Sequence, residues 1–397
     1  MPRPHLLLGL LVVTTLAAAC SDDLSSPATT GSDTTAAPST TAAATTTTAS
    51  AADAAMAYAD AGPFPVGVSY MLETPGGNRI EVWYPAVPGT TGTDSYDMRD
   101  YVPDEVRALL TADVPAGATY AAGRDADIAD GTFPVVLFSH GFAGMRMQST
   151  FLTAHLASWG MIVVAPEHPS RDLEAVLRSR FAIDEDPAVE DLTQSLDLII
   201  VDGDDSTSPF HGHVDGERVA AIGHSAGGLS VVQAVSNDTR IDGYVSLASY
   251  TIGLRAVDRS TAVPSLFIAG SVDGVVSAEK YTRPSYEAAE SPSALWVIEG
   301  AGHNAFDDFC TFGNGSGIIG IADASGVAPL LDTVPFLRTL GENGCKPPAV
   351  AVETTFPIIR HAVTAWLRQL FGIDATPVGL GTDVADQYAT PVEITTK

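Results

Sequence analysis

The chain has 397 residues, 45% of them hydrophobic, enough to bury one large core or two small ones. Its 48 acidic residues against 20 basic ones leave a net charge of −28, a surface that repels nucleic acid and excludes that class of partner.

The first residues, "MPRPHLLLGLLVVTTLAAAC", read as an export leader: one arginine, an apolar run, then small residues before Cys20. The apolar run from Leu6 to Ala19 is too short for a good membrane span. Ala17-Ala18-Ala19-Cys20 resembles a bacterial lipobox, with its leucine one place early at Leu16, so Cys20 is a lipidation candidate. The same small residues also suit ordinary leader cleavage. The protein is therefore expected outside the cytoplasm, either anchored by lipid on the outer face of a bacterial membrane or secreted. Residues 21–60 are dominated at first by Ser, Thr, Ala and Asp, and are expected to form a flexible tether.

A single domain is expected over residues 61–375, followed by a tail at 376–397. "VGVSYML" and "NRIEVWYPA" alternate like antiparallel strands. The runs "FPVVLFSHG", "GMIVVAPEH", "ERVAAIGHS", "IDGYVSLAS", "VPSLFIAGS" and "ALWVIEGAG" are continuously apolar, as in parallel strands buried on both faces. Helical patterns lie among them in "QSTFLTAHLASWG", "DPAVEDLTQSLDLIIVDG", "AGGLSVVQAVSN" and "TTFPIIRHAVTAWLRQLFG". The alternation predicts an α/β fold, a mostly parallel central sheet with helices on both faces.

"IGHSAGG", residues 222–228, falls where a strand passes into a helix. A tight strand-to-helix turn of the form G-x-S-x-G aims a serine outward beside a helix N-terminus, so Ser225 is the candidate nucleophile. A serine hydroxyl needs a base held by an acid, in the chain order serine, acid, histidine. His303, in "GAGHNAF" after a strand, is the candidate base, whereas His361 falls inside the last helix. Asp273, in the turn after "VPSLFIAG", is the candidate acid. Asp242 and Asp258 lie away from a strand's C-terminal end, and Glu299 is too near His303 to reach its ring. The oxyanion would be held by the N–H groups of Ala226 and of Phe142 in "SHGFAG". His140 and His168 read as turn or packing residues, and His211 and His213 near Asp215 as a solvated turn. No metal or organic cofactor is expected.

Together "SHGFAG", "GHSAGG", "GSVDG" and "GAGHNAF" look like the α/β-hydrolase superfamily of serine esterases. Within it the chain resembles bacterial cutinase-like polyester hydrolases and the platelet-activating-factor acetylhydrolase-like group, over about residues 62–372. The resemblance implies the α/β-hydrolase fold and an acyl-enzyme mechanism on an ester, small or polymeric. The polyester hydrolases carry aromatic residues where this chain has Phe142 and Tyr250, which implies a clamp on the substrate. Polyesters and aromatic or short-chain esters are the first expectation, a phospholipid ester the second, and a non-catalytic surface protein of this fold the rival from another class. Residues 304–350 exceed what a compact polyester hydrolase needs. They contain Cys310 and Cys345, for which a disulfide is the natural reading in an exported protein, with two buried thiols as the alternative. The bridge would close a loop of about 36 residues, worth about 4 kcal/mol. This segment is expected to form a partial cover over the site.

Overall fold

The computed structural model describes residues 50–397 except 72–73, 75–76, 182–186, 253–261, 332 and 335. The expected leader, Cys20 and most of the expected tether lie outside the described residues.

Twelve strands are described: β1 (Val66–Met71), β2 (Ile80–Pro85), β3 (Thr93–Asp97), β4 (Gly117–Ala121), β5 (Gly123–Arg124), β6 (Phe133–Ser139), β7 (Ile162–Pro166), β8 (Val214–His224), β9 (Ile241–Leu247), β10 (Ser265–Gly270), β11 (Ser293–Ile298) and β12 (Val392–Thr396). Ten of them form one sheet, in the order β12-β11-β10-β9-β8-β6-β7-β2-β1-β5, while β3 and β4 pair as a separate hairpin. Strands β6 to β11 run parallel; β2 joins β7 antiparallel, and β12 joins β11 antiparallel at the far edge.

The continuous apolar runs have a direct physical cause. Val135 and Leu137 of β6 face one core and Val136 and Phe138 the other, and Val219/Ala221 and Ala220/Ile222 of β8 divide in the same way. One core is covered by the helices Thr150–Ser158 and Phe356–Leu370, the other by Ala188–Asp204 and Ala226–Asn237. This is the expected α/β-hydrolase architecture, with strand C-terminal ends, and hence Ser225, Asp273 and His303, gathered along one side of the sheet.

The ends of the domain differ from the sequence reading. Residues 50–60 do not behave as tether. Ser50 caps the helix Ala51–Ala55 through a capping box with Asp53, and Tyr58 is buried, its ring 4.8 Å from that of Trp159 and its hydroxyl donating to Asp374 Oδ2 at 2.6 Å. The run 376–397 is likewise more than a tail, because Val392 and Ile394 of β12 turn inward on the main sheet. Both segments are short, and each buries only a few apolar side chains, which leaves little periodicity to read.

Candidate active site

At the end of β8 the chain turns through Ser225 with φ 54° and ψ −121° and enters the helix Ala226–Asn237. Such a backbone conformation is strained for a side chain with a Cβ, and it persists because the surroundings leave no alternative. A methyl group on Gly223 would lie 2.1 Å from Gly227 O, and one on Gly227 would lie 2.0 Å from Ser139 O. The two glycines of the motif therefore let the helix seat against β6 and β8.

Ser225 Oγ lies 2.9 Å from His303 Nε2, and His303 Nδ1 lies 2.9 Å from Asp273 Oδ2. The other Asp273 oxygen accepts the N–H groups of Val275 and Val276, each at 2.8 Å, which fixes the carboxylate. His303 is fully buried and Asp273 nearly so, while Ser225 is half-buried. With a carboxylate at Nδ1, the imidazole carries its proton there and presents Nε2 as an acceptor to the serine hydroxyl.

The loop after β6 passes close to the serine: a methyl group on Gly141 would stand 3.3 Å from Ser225 Cβ. In this loop Ala143 N–H donates to Arg171 O, and Gly141 N–H donates to Gln148 Oε1, whereas Phe142 N–H has no acceptor among the described residues. Ala226 N–H, in the first turn of its helix, has no intrahelical acceptor either. Two free N–H groups thus belong to the residues expected to bind an oxyanion.

Three residues that sequence reasoning missed support this geometry. Gln148 Nε2 donates to His224 Nδ1 at 2.8 Å, and His224 Nε2 in turn lies 3.1 Å from His303 O. Burial, and then the neighbouring His303, hold His224 well below the usual histidine range, so it stays neutral and leaves proton transfer to His303. Asn343, far along the chain, accepts His303 N–H at 2.7 Å and Gly274 N–H at 3.4 Å through its side-chain oxygen. His224 stood inside the quoted motif as a signal; nothing in the sequence marked Gln148 or Asn343.

Other expectations divide. Cys310 and Cys345 form a disulfide. The segment it ties down, together with residues 98–110, walls an apolar cavity into which Ser225, His303 and Phe142 open. The Phe142 ring also meets Phe181 at 5.1 Å and Phe336 at 5.4 Å. Tyr250 is not among the residues lining that cavity; its ring packs 5.1 Å from Tyr281. His361 is buried, and His213 bonds Gly131 O. Among the described residues no cluster of three or more His, Cys, Asp or Glu side chains is placed to hold a metal ion, and no helix is long and apolar enough to cross a membrane.

A second serine-histidine-aspartate chain tests how much distance alone means. Ser139 Oγ lies 2.8 Å from His168 Nε2, and His168 Nδ1 lies 2.9 Å from Asp191 Oδ2. Ser139 and His168 are completely buried, and Arg171 Nη2 already donates to the serine oxygen. No ester can approach it. Access, and free N–H groups nearby, separate Ser225 from this structural copy.

A family model described as PET hydrolase-like matches residues 113–314, just over half of the chain. Cutinase est2 of Thermobifida alba is 26% identical over 207 residues, 51% of this chain and 62% of that protein. Platelet-activating factor acetylhydrolase of Cavia porcellus is 25% identical over 286 residues, 61% of this chain and 58% of that protein. The chain thus spans about three fifths of the length of these relatives. Among solved structures, a ferulic acid esterase from Streptomyces cinnamoneus superposes with a TM-score of 0.55 at 20% identity, covering 84% of this chain and 96% of its own.

Proposed function

Since the chain belongs to the PET hydrolase-like family, we propose that it is a carboxylic ester hydrolase with Ser225 as nucleophile, His303 as general base and acid, and Asp273 as the group that orients and stabilises His303. Ser225 Oγ attacks the ester carbonyl carbon while its proton passes to His303 Nε2. The carbonyl oxygen, now negative, accepts the N–H groups of Phe142 and Ala226. Collapse breaks the bond to the alcohol oxygen, which takes the proton from His303 and leaves an acyl group on Ser225. Water then gives a proton to His303 and attacks the acyl carbon; the acid departs and Ser225 recovers its proton.

The observation that carries this reading is the Ser225–His303–Asp273 hydrogen-bond chain beside two unengaged N–H groups. Export belongs to the same proposal, supported by the leader-like sequence before Cys20 and by the Cys310–Cys345 disulfide, which suits an oxidising compartment. A fluorophosphonate reagent is expected to add one adduct, at Ser225, with loss of activity on p-nitrophenyl esters. Ser225→Ala is expected to lose both labelling and turnover. Full activity with Ser225 unlabelled would overturn the assignment.

A further inference from the structure

We propose that the ester carries a long unbranched aliphatic acyl chain, housed in the cavity between residues 98–110 and the disulfide-tied segment, rather than an aromatic or polymeric acyl group. This rests on the reading of Ser225 as nucleophile, and it names the substrate class of that site.

The cavity and the candidate nucleophile share one space: Ser225, His303 and the Gly141–Ala143 loop form one part of its wall. Away from them the wall is largely aliphatic, with Val102, Val106 and Leu110 from residues 98–110 and Ile319, Leu331 and Leu340 from the disulfide-tied segment. These side chains are held in place from behind, since most belong to the same buried cluster as the sheet. Transfer of methylene groups from water into such walls is favourable and accumulates with chain length.

Most polar groups in the wall are already engaged. Gln148 spends its amide on Gly141 and His224, and Asn304 Nδ2 donates to Leu340 O. Asp307 is fully buried, with one oxygen accepting Phe309 N–H and the other, 3.8 Å from His224 Nδ1, without a hydrogen-bond partner among the described residues. Burial raises its carboxyl well above the usual range, so it adds no charge to the wall. A charged acyl group would find no lysine or arginine in this wall to pair with, a costly outcome. The acyl side is favoured over the alcohol side because a chain held there stays bound through both half-reactions.

The test uses the full chain with p-nitrophenyl esters from acetate to palmitate, p-nitrophenyl benzoate, and a parallel series of alkyl acetates. Expected is a rise in kcat/KM of at least roughly tenfold from acetate to octanoate, with benzoate and the alkyl acetates lacking that gain. Ile319→Trp and Val106→Trp, one from each segment, are each expected to cut octanoate turnover at least roughly tenfold and change acetate turnover less than about threefold. Retained acetate activity reports that a variant is folded. Highest kcat/KM on acetate or benzoate, a length preference confined to the alkyl acetates, or unchanged octanoate turnover in both folded variants would overturn the proposal. Absence of turnover on every ester, with Ser225 unlabelled by fluorophosphonate, would instead overturn the catalytic reading beneath it.

Discussion

Asn343 joins the two loops that have to agree on the position of one imidazole. Its side-chain oxygen accepts from His303 N–H and from Gly274 N–H, next to Asp273, while its backbone oxygen accepts Asn304 N–H at 2.8 Å. It touches neither Ser225 nor the space for the ester carbonyl, so it acts by positioning. A displacement of about 1 Å at a reacting group costs up to roughly a hundredfold in rate. Asn343→Ala is expected to lower kcat by about tenfold to a hundredfold with KM little altered, read from steady-state kinetics on a p-nitrophenyl ester. Asn343→Asp keeps an acceptor in the same place and is expected to recover part of the loss, which general loosening of the fold would not predict. An equal fall in both variants, or a rise in KM alone, would count against positioning. The motif residues Ser225, Asp273 and His303 were legible because their chemistry demands residue types at strand ends in a fixed order. Asn343 carries no such signature, since an asparagine near a glycine reads as any loop.

The segment 304–350 was legible as an addition and was expected as a partial cover; its supply of Asn343 to the site was not legible. Its helices Gly317–Ser325 and Leu337–Glu342 supply apolar wall to the cavity, and its last turn delivers Asn343 two residues before Cys345. Cys310 follows the His303 loop directly, so the disulfide closes the segment back onto the site it covers. Removing it with Cys310→Ser/Cys345→Ser frees the unfolded chain and is expected to lower stability by about 2–4 kcal/mol, measured by urea unfolding. Because Asn343 lies beside the bridge, activity is expected to fall at temperatures where the variant is still folded by circular dichroism. Activity tracking the folded fraction alone would show that the bridge only stabilises. The parallel strands were readable from apolar runs because both faces of the sheet are buried. The β3–β4 hairpin was missed because β3 buries only Tyr96 and the acidic Asp94, β4 mixes exposed and half-buried residues, and the pair lies outside the main sheet. Tyr250 was taken from a resemblance, and its neighbour Tyr281 lies on a segment the sequence did not bring near it.

At the scale of the whole molecule, several buried histidines make the fold sensitive to acid, and His361 shows the sign most clearly. It is fully buried at the joint between residues 50–60 and the closing helix: Tyr58 N–H donates to its Nδ1 at 3.2 Å, and its Nε2 lies 3.1 Å from Gly379 O. That pairing uses one ring nitrogen as acceptor and the other as donor, so only the neutral ring satisfies both neighbours. Around it stand Trp296, Tyr58 and Tyr388, all uncharged, and burial lowers its pKa to about 4. Unfolded, the same side chain titrates near 6.5. The unfolded chain therefore binds the extra proton first as pH falls, and the stability from neutral His361 is complete above about pH 6.5 and lost progressively toward pH 4. Between pH 8 and pH 5 that loss is about 2 kcal/mol. His155, lowered to about 3 by burial, acts in the same direction, while Asp308, raised to about 7 by burial, gains relative stability on acidification and offsets part of it. The contribution of His361 is isolated by comparing urea unfolding at pH 8 and pH 5 in the native chain and in His361→Gln, whose side chain does not titrate. The variant is expected to start less stable at pH 8, for want of a matched partner, yet to lose about 2 kcal/mol less on acidification. Parallel losses in the two proteins would mean that residues 50–60 release from the closing helix without regard to the charge on this ring.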